Sequence, residues 1–238
     1  MAAETAVAAS GYGCIPFIVG LDERSCSDLA ARIPGAGYLA ADLRAEESAD
    51  LALRLCIEKY GRVDALFNVA GISGRRYGDG PLHECSLDGW TATMDANART
   101  MFLMCRAALR HWMETNRPGV ILNMASVIAT SPEPRHFAAH AYAASKGAVL
   151  SLTRSLAAYY APHRIRVNAI APGLVATPMS VRAQSSPEIL EFIRTKQPLC
   201  EGILEPGDVA HAALFLLTDA SRSITGAFLN VDGGWSVA

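Results

Sequence analysis

Tyr142 and Lys146 stand four residues apart in Tyr142-Ala-Ala-Ser-Lys146, inside a stretch of helical pattern, so their side chains share a helix face. An ammonium beside a phenol favours the phenolate. The spacing therefore predicts a tyrosine whose pKa falls toward working pH, able to give a proton to a carbonyl oxygen or take one from an alcohol. A half-buried aromatic beside an exposed lysine has the same spacing, so the chemistry needs partners. One is Ser126, which closes the apolar run Val120-Ile-Leu-Asn-Met-Ala-Ser126. Ligands bind open α/β sheets at the carboxyl ends of strands, where a hydroxyl can hydrogen-bond a substrate oxygen as charge builds on it. The plainer role of a serine after a strand is to cap a helix or turn.

These side chains need a scaffold, and the hydrophobic pattern supplies one. Short apolar runs at Ile15–Gly20, Gly37–Ala41, Val63–Val69, Val120–Met124, Ile165–Ile170 and Phe228–Val231 are continuous, as expected of strands covered on both faces. Helical patterns lie between them near 25–33, 46–60, 86–113, 140–161 and 206–217. In the second of these, Leu51, Leu55, Cys56 and Tyr60 fall on one face. The alternation predicts an α/β fold, a single doubly wound parallel sheet, in one domain over 1–238. Residues 177–205, rich in Pro and Ser, read as a lid over a cleft.

Composition removes several classes. The 238 residues are 51% hydrophobic and 18% charged, which excludes general disorder. Lys and Arg number 21 against 23 acidic residues, with no basic stripe, so no nucleic-acid partner is indicated. No apolar run approaches the ~20 residues that span a bilayer. Glu4 near the start argues against a secretory signal, and six scattered cysteines read as reduced thiols of a cytoplasmic protein. No metal site is expected.

Further motifs accompany the tyrosine in fixed order: Asn68-Val-Ala-Gly71, Met94-Asp-Ala-Asn97, Pro172-Gly173 followed by Thr177, and Ile224-Thr-Gly-Ala-Phe-Leu-Asn-Val-Asp-Gly-Gly234. With Ser126, Tyr142 and Lys146 they resemble the short-chain dehydrogenase/reductase family from about Phe17 to the end. The resemblance implies an NAD(P)-dependent oxidoreductase interconverting a secondary alcohol and a ketone. It implies Tyr142 as general acid/base, Lys146 lowering its pKa and binding the nicotinamide ribose, and Ser126 holding the substrate oxygen. Asn97 would position a proton-relaying water. Asp42 and Leu43 would contact the adenine, and Asn68, Ala70 and Gly71 the adenosine ribose side. Pro172, Gly173, Val175 and Thr177 would frame the nicotinamide. Asn168 reads as a sheet brace. A homotetramer or homodimer follows from the same likeness.

The N-terminus departs from the family, which opens with a mid-sheet strand, a glycine-rich phosphate loop and a helix. Here Ser10-Gly11-Tyr12-Gly13 resembles the end of that loop, giving Gly11 and Gly13 as cofactor contacts, while residues 1–14 leave little chain for the unit. Residues 5–9 form a short strand, or pack irregularly, or Ile15–Gly20 serves as the first strand with its helix at Ser25–Ile33. The preferred reading makes Ile15–Gly20 the family's second strand. Asp22 near its end favours NAD by binding ribose hydroxyls, whereas Arg24 next door would favour the 2′-phosphate of NADP, and the plain alternative is a solvated loop and helix start. The interval 127–141 is a few residues longer than usual, placing His136 and His140 near the substrate or in solvent. The apolar lid residues Met179, Val181, Ile189, Leu190, Phe192, Ile193, Leu199 and Ile203 suggest a partly apolar substrate. Two alternatives stay open. One is a relative without nicotinamide that performs cofactor-free Ser/Tyr chemistry, as halohydrin dehalogenases do, although those carry arginine where this chain has Lys146. The other is a pseudoenzyme or scaffold.

Overall fold

Alternation along two central strands sets the layers. In the computed structural model, which describes residues 1–238, β4 (Gly119–Met124) and β5 (Ile165–Pro172) are adjacent and parallel. Ile121, Ile165, Val167, Ala169 and Ala171 point to one face and pack on α5 (Thr100–Thr115) and α6 (His140–Tyr160). Leu122, Met124 and Ile170 point to the other and pack on α9 (Pro206–Leu217). Successive strand residues face opposite ways, so a continuous apolar run feeds two cores at once. The doubly wound, all-parallel α/β arrangement agrees with the sequence reading.

The sheet itself is in two pieces. β1 (Phe17–Gly20) pairs only with β2 (Gly37–Ala40), and β3 (Ala65–Asn68), β4, β5 and β6 (Phe228–Val231) form a separate four-stranded sheet in that order. This corrects the expectation of one continuous sheet. A shared apolar layer still joins the pieces: Ala49 and Ala52 of α3 (Glu46–Tyr60) and Leu103, Met104 and Ala107 of α5 pack against Val19, Leu39 and Leu66. The buried face of α3 thus runs through Ala49, Ala52 and Leu53, not through Leu51 and Leu55.

Residues 1–14 explain the interruption. They form neither a strand nor an irregular segment: Ala2–Ser10 is helix α1, packed along α9. Ala2, Ala3, Ala6, Ala8 and Ala9 give it high helix propensity. Ser10–Gly13 is the turn at its C-terminal end, with Gly13 at φ 78°. Strand β1 leads into α2 (Glu23–Ala31), which packs on β1 and β2. The long helical pattern 86–113 becomes α4 (Leu87–Met94) and α5, joined by a π turn over Asp95–Arg99. Residues 177–205 hold the short α7 (Val181–Gln184) and α8 (Pro187–Lys196).

Candidate active site

Strand ends and one helix start meet at a cavity of about 330 Å³. Ser126 enters it from the end of β4, and Tyr142 and Lys146 from the first two turns of α6. Gly71, Pro172, Gly173, Val175 and Thr177 line the same cavity. The start of α6 lacks a local cap, because Ala139 offers no side-chain acceptor. Asp79 supplies it from a distance: its carboxylate accepts from the Ala141 and Tyr142 backbone N–H groups at 3.0 and 2.9 Å. That aspartate is buried, on a loop turned sharply at Gly74, φ 77°, where a Cβ would sit 2.1 Å from Thr93 Oγ1. Asp79 therefore fixes the turn that carries the tyrosine, and sequence spacing gave no sign of it.

Burial dominates the electrostatics of both groups. Burial pushes the Tyr142 phenol up from its ordinary value, and the neighbouring Ser126 hydroxyl pulls the other way. Burial acts on Lys146 too, bringing it down to about 8. Its Nζ donates to the Met124 carbonyl at 2.8 Å and lies 5.7 Å from the Tyr142 ring centroid. An ammonium has three N–H donors, and no other protein acceptor is bonded to this one. The remaining donors suit a ribose diol.

Asn97 sits in the π turn, buried, with both polar atoms of its amide bonded to the protein. Oδ1 accepts from Ile72 N at 2.7 Å, while Nδ2 donates to Ile72 O and to Ser145 Oγ. It ties the loop after β3 to α6. Gly71 passes so close that a Cβ there would lie 2.7 Å from Asn97 Oδ1 and 3.8 Å from Lys146 Nζ.

Other expected contacts are not brought together. Gly11 and Gly13 lie at the far end of α1, about 13 Å along the helix from Met1, which lines the cavity. They are a helix-end turn and no phosphate loop. The N-terminus of α1, not its C-terminal glycines, faces the site. Asn68 spends its amide between strands, donating to Asn123 Oδ1 and Cys105 Sγ. Ala70 does not line the cavity, and neither do Asp42 and Leu43. The Asp42 carboxylate is bound by the Arg44 side chain and backbone N–H. Asp22 caps α2 through Oδ1, accepting from Ser25 N at 2.7 Å. Asn168 braces the sheet, bonded to Ile224 O and Ala227 N.

The loop 127–141 does cover the cavity, but through Phe137 and Ala139 and not through its histidines. His140 Nδ1 accepts from Leu82 N, and the His136 ring packs on Phe192. Of the apolar lid residues, only Met179 reaches the cavity. Ile189, Ile193 and Phe192 build a separate core around Trp235. Segment 177–205 is held by Gln197, fully buried, bonded to Leu174 N, Leu174 O and Gly202 O. The sequence reading missed Arg75, Arg76, Arg182, Met1 and Trp235, all lining the cavity.

A family model described as enoyl-(acyl carrier protein) reductase matches residues 1–236. The chain is 36% identical over 220 residues to 3beta-hydroxysteroid dehydrogenase 1 of Eggerthella lenta, covering 91% of this chain and 81% of that one. It is 36% identical over 197 residues to glucose 1-dehydrogenase 2 of Bacillus subtilis, covering 83% and 73%. Its structure superposes on that of 3-ketoacyl-(acyl-carrier-protein) reductase from Brucella melitensis complexed with NADH, with TM-score 0.87 and 32% identity, over 98% of this chain and 93% of that one.

Proposed function

The chain belongs to the short-chain dehydrogenase/reductase family of NAD(P)-dependent oxidoreductases, and from that premise we propose that it interconverts a secondary alcohol and a ketone with Tyr142 as the proton-transferring group. The observation that carries this reading is the convergence of Ser126, Tyr142 and a buried, under-bonded Lys146 on one cavity. The relatives named above are two dehydrogenases and a 3-ketoacyl-(acyl-carrier-protein) reductase.

The hydride would come from, or go to, a nicotinamide bound in this cavity. Lys146 would hold its ribose through the free N–H donors, and Pro172, Gly173, Val175 and Thr177 would border its ring. In the reducing direction the neutral, buried Tyr142 phenol donates its proton to the ketone oxygen, and Ser126 hydrogen-bonds that oxygen as negative charge develops. In the oxidising direction the phenolate takes the alcohol proton. Burial brings Lys146 down to about 8, which suits it to pass a proton on from Tyr142 as well as to hold one. Asn97 positions this apparatus by pinning Ile72 to α6, and a relaying water would use the second lone pair of its Oδ1. The start of α1 borders the cavity at Met1 and presents backbone N–H groups and a positive helix end, suited to the pyrophosphate.

The free Oδ2 of Asp22, at the carboxyl end of β1, favours NAD over NADP, because a carboxylate there repels a 2′-phosphate. Residues 177–205 act as the lid. A homotetramer or homodimer is proposed through α4–α6, where Leu87, Trp90, Phe102 and Tyr159 are exposed, and size-exclusion chromatography giving a monomer refutes it. No helix is long and apolar enough to cross a membrane.

The test is a titration of the purified chain with NADH and NADPH by tryptophan quenching, followed by a ketone screen. Saturable binding with turnover is expected. Tyr142→Phe should bind NADH while losing about 10²-fold or more in kcat. Retained turnover in that variant, or a folded protein that binds neither nucleotide, defeats the reading.

A further inference from the structure

The cavity is lopsided in charge. Arg75, Arg76, Lys146 and Arg182 line it, and no aspartate or glutamate does. Lys146 belongs to the catalytic set, but the three arginines do not. None of them forms an ion pair within 4.0 Å, although arginines elsewhere in the chain do so repeatedly.

Two of them converge. Arg75 Nη2 donates to the carbonyls of His136 and Ala138, and Arg182 Nη2 donates to the same His136 carbonyl at 2.8 Å. A shared acceptor draws two guanidiniums together, and Arg182 adds to burial in making the charge on Arg75 less favourable. The nearby carboxylates are committed elsewhere. Asp79 faces Arg75 and relieves it in part, but both its oxygens accept from the start of α6. Glu133 accepts from the backbone N–H groups of Arg135, His136 and Phe137. Glu188 pairs with Arg135. Each guanidinium has five N–H donors. Nε and Nη1 of both Arg75 and Arg182 make no protein bond, and neither residue has a donor sealed from solvent without a partner. Two paired-off cations with spare donors and no counter-ion form an incomplete anion site.

The position of this pair decides what anion it serves. Its carbonyl anchors belong to loop 127–141, which covers the cavity above Ser126 and Tyr142, and Arg182 rides on the lid segment. The same cavity is lined by the apolar side chains of Ile128, Phe137, Met179 and Trp235, and the Arg182 guanidinium lies 5.8 Å from the Phe137 ring centroid. We infer that the substrate is a ketone or secondary alcohol bearing a carboxylate, which Arg75 and Arg182 clamp while the apolar body lies against those side chains. This rests on the dehydrogenase reading above and adds its substrate class.

The test uses matched pairs: ω-carboxy ketones from levulinate upward, each beside its methyl ester, reduced with NADH. An acid member should exceed its ester in kcat/KM by about tenfold or more. Arg182→Gln should bring that ratio below about threefold, Arg182→Lys should restore part of it, and Arg75→Gln should act likewise if its thermal unfolding matches the parent. Equal use of acid and ester, or an acid preference that survives in Arg182→Gln, overturns the inference. So does a loss of NADH affinity in Arg182→Gln that exceeds the loss of acid preference, which places the guanidinium on cofactor phosphate. Failure to turn over any pair while NADH binds defeats the dehydrogenase reading alone. Quenching of Trp235 by the acids and not the esters would then still support the clamp, and equal quenching would sink it.

Discussion

Asp79→Ala removes the acceptor that caps α6 from 62 and 63 residues away in sequence, at 3.0 and 2.9 Å from two backbone N–H groups. The site is buried, so water replaces the carboxylate poorly. Leaving a buried donor unpaired costs about 1–3 kcal/mol, and the negative charge at a helix N-terminus contributes up to about 1 kcal/mol more. Two donors and one charge put Asp79→Ala at about 3 kcal/mol. Asp79→Asn keeps one acceptor oxygen and should cost about half as much. For a chain of this length a loss of 1 kcal/mol lowers Tm by about 2–4 °C, so Asp79→Ala should melt about 6–12 °C early and Asp79→Asn about 3–6 °C early. Circular dichroism at 222 nm reads the shift. Because the freed donors belong to Ala141 and Tyr142, kcat should fall in the same order, with NADH affinity less affected. An Asp79→Ala protein that melts within about 2 °C of the parent would refute the capping argument, since the two bonds would then carry no net free energy.

Lys146 makes stability depend on pH. Its folded pKa, about 8, is below the ordinary lysine value of 10.5, so the folded chain resists protonation that the unfolded chain accepts. The resulting penalty is full below about pH 8 and is relieved as pH rises from 8 toward 10.5, by about 3 kcal/mol in order of magnitude. Comparing Lys146→Met with the parent, the variant's relative stability should be greatest below pH 8 and shrink above it, and a pH-independent difference in denaturant midpoints counts against this. Gln197→Leu strips partners from Leu174 N–H, Leu174 O and Gly202 O. It should destabilise by about 2–4 kcal/mol and raise KM more than it lowers kcat, since it loosens the lid and not the proton-transfer group, and steady-state kinetics with parental KM would contradict that.

Local spacing made much of this molecule readable from its residues. Tyr142 and Lys146 share a face because a helix repeats every 3.6 residues, and Ser126 stands at a ligand-binding strand end because an apolar run stops there. The order of strands and helices followed from continuous apolar runs that must be covered on both faces. The same local reasoning failed at the N-terminus, where Gly11 and Gly13 drew attention and the alanines of 2–10, the stronger helix signal, did not. Their helix packs on α9, about two hundred residues later, and leaves the sheet in two pieces. Tertiary structure alone decided which charges meet. Arg75 and Arg182 are 107 positions apart and share one carbonyl, and Asp79 finds the start of α6 only through the folded loop. Burial, too, belongs to the whole fold: it moved Tyr142 and Lys146 away from the values their spacing suggested, because desolvation is set by everything packed around a group and not by its neighbour one helical turn away.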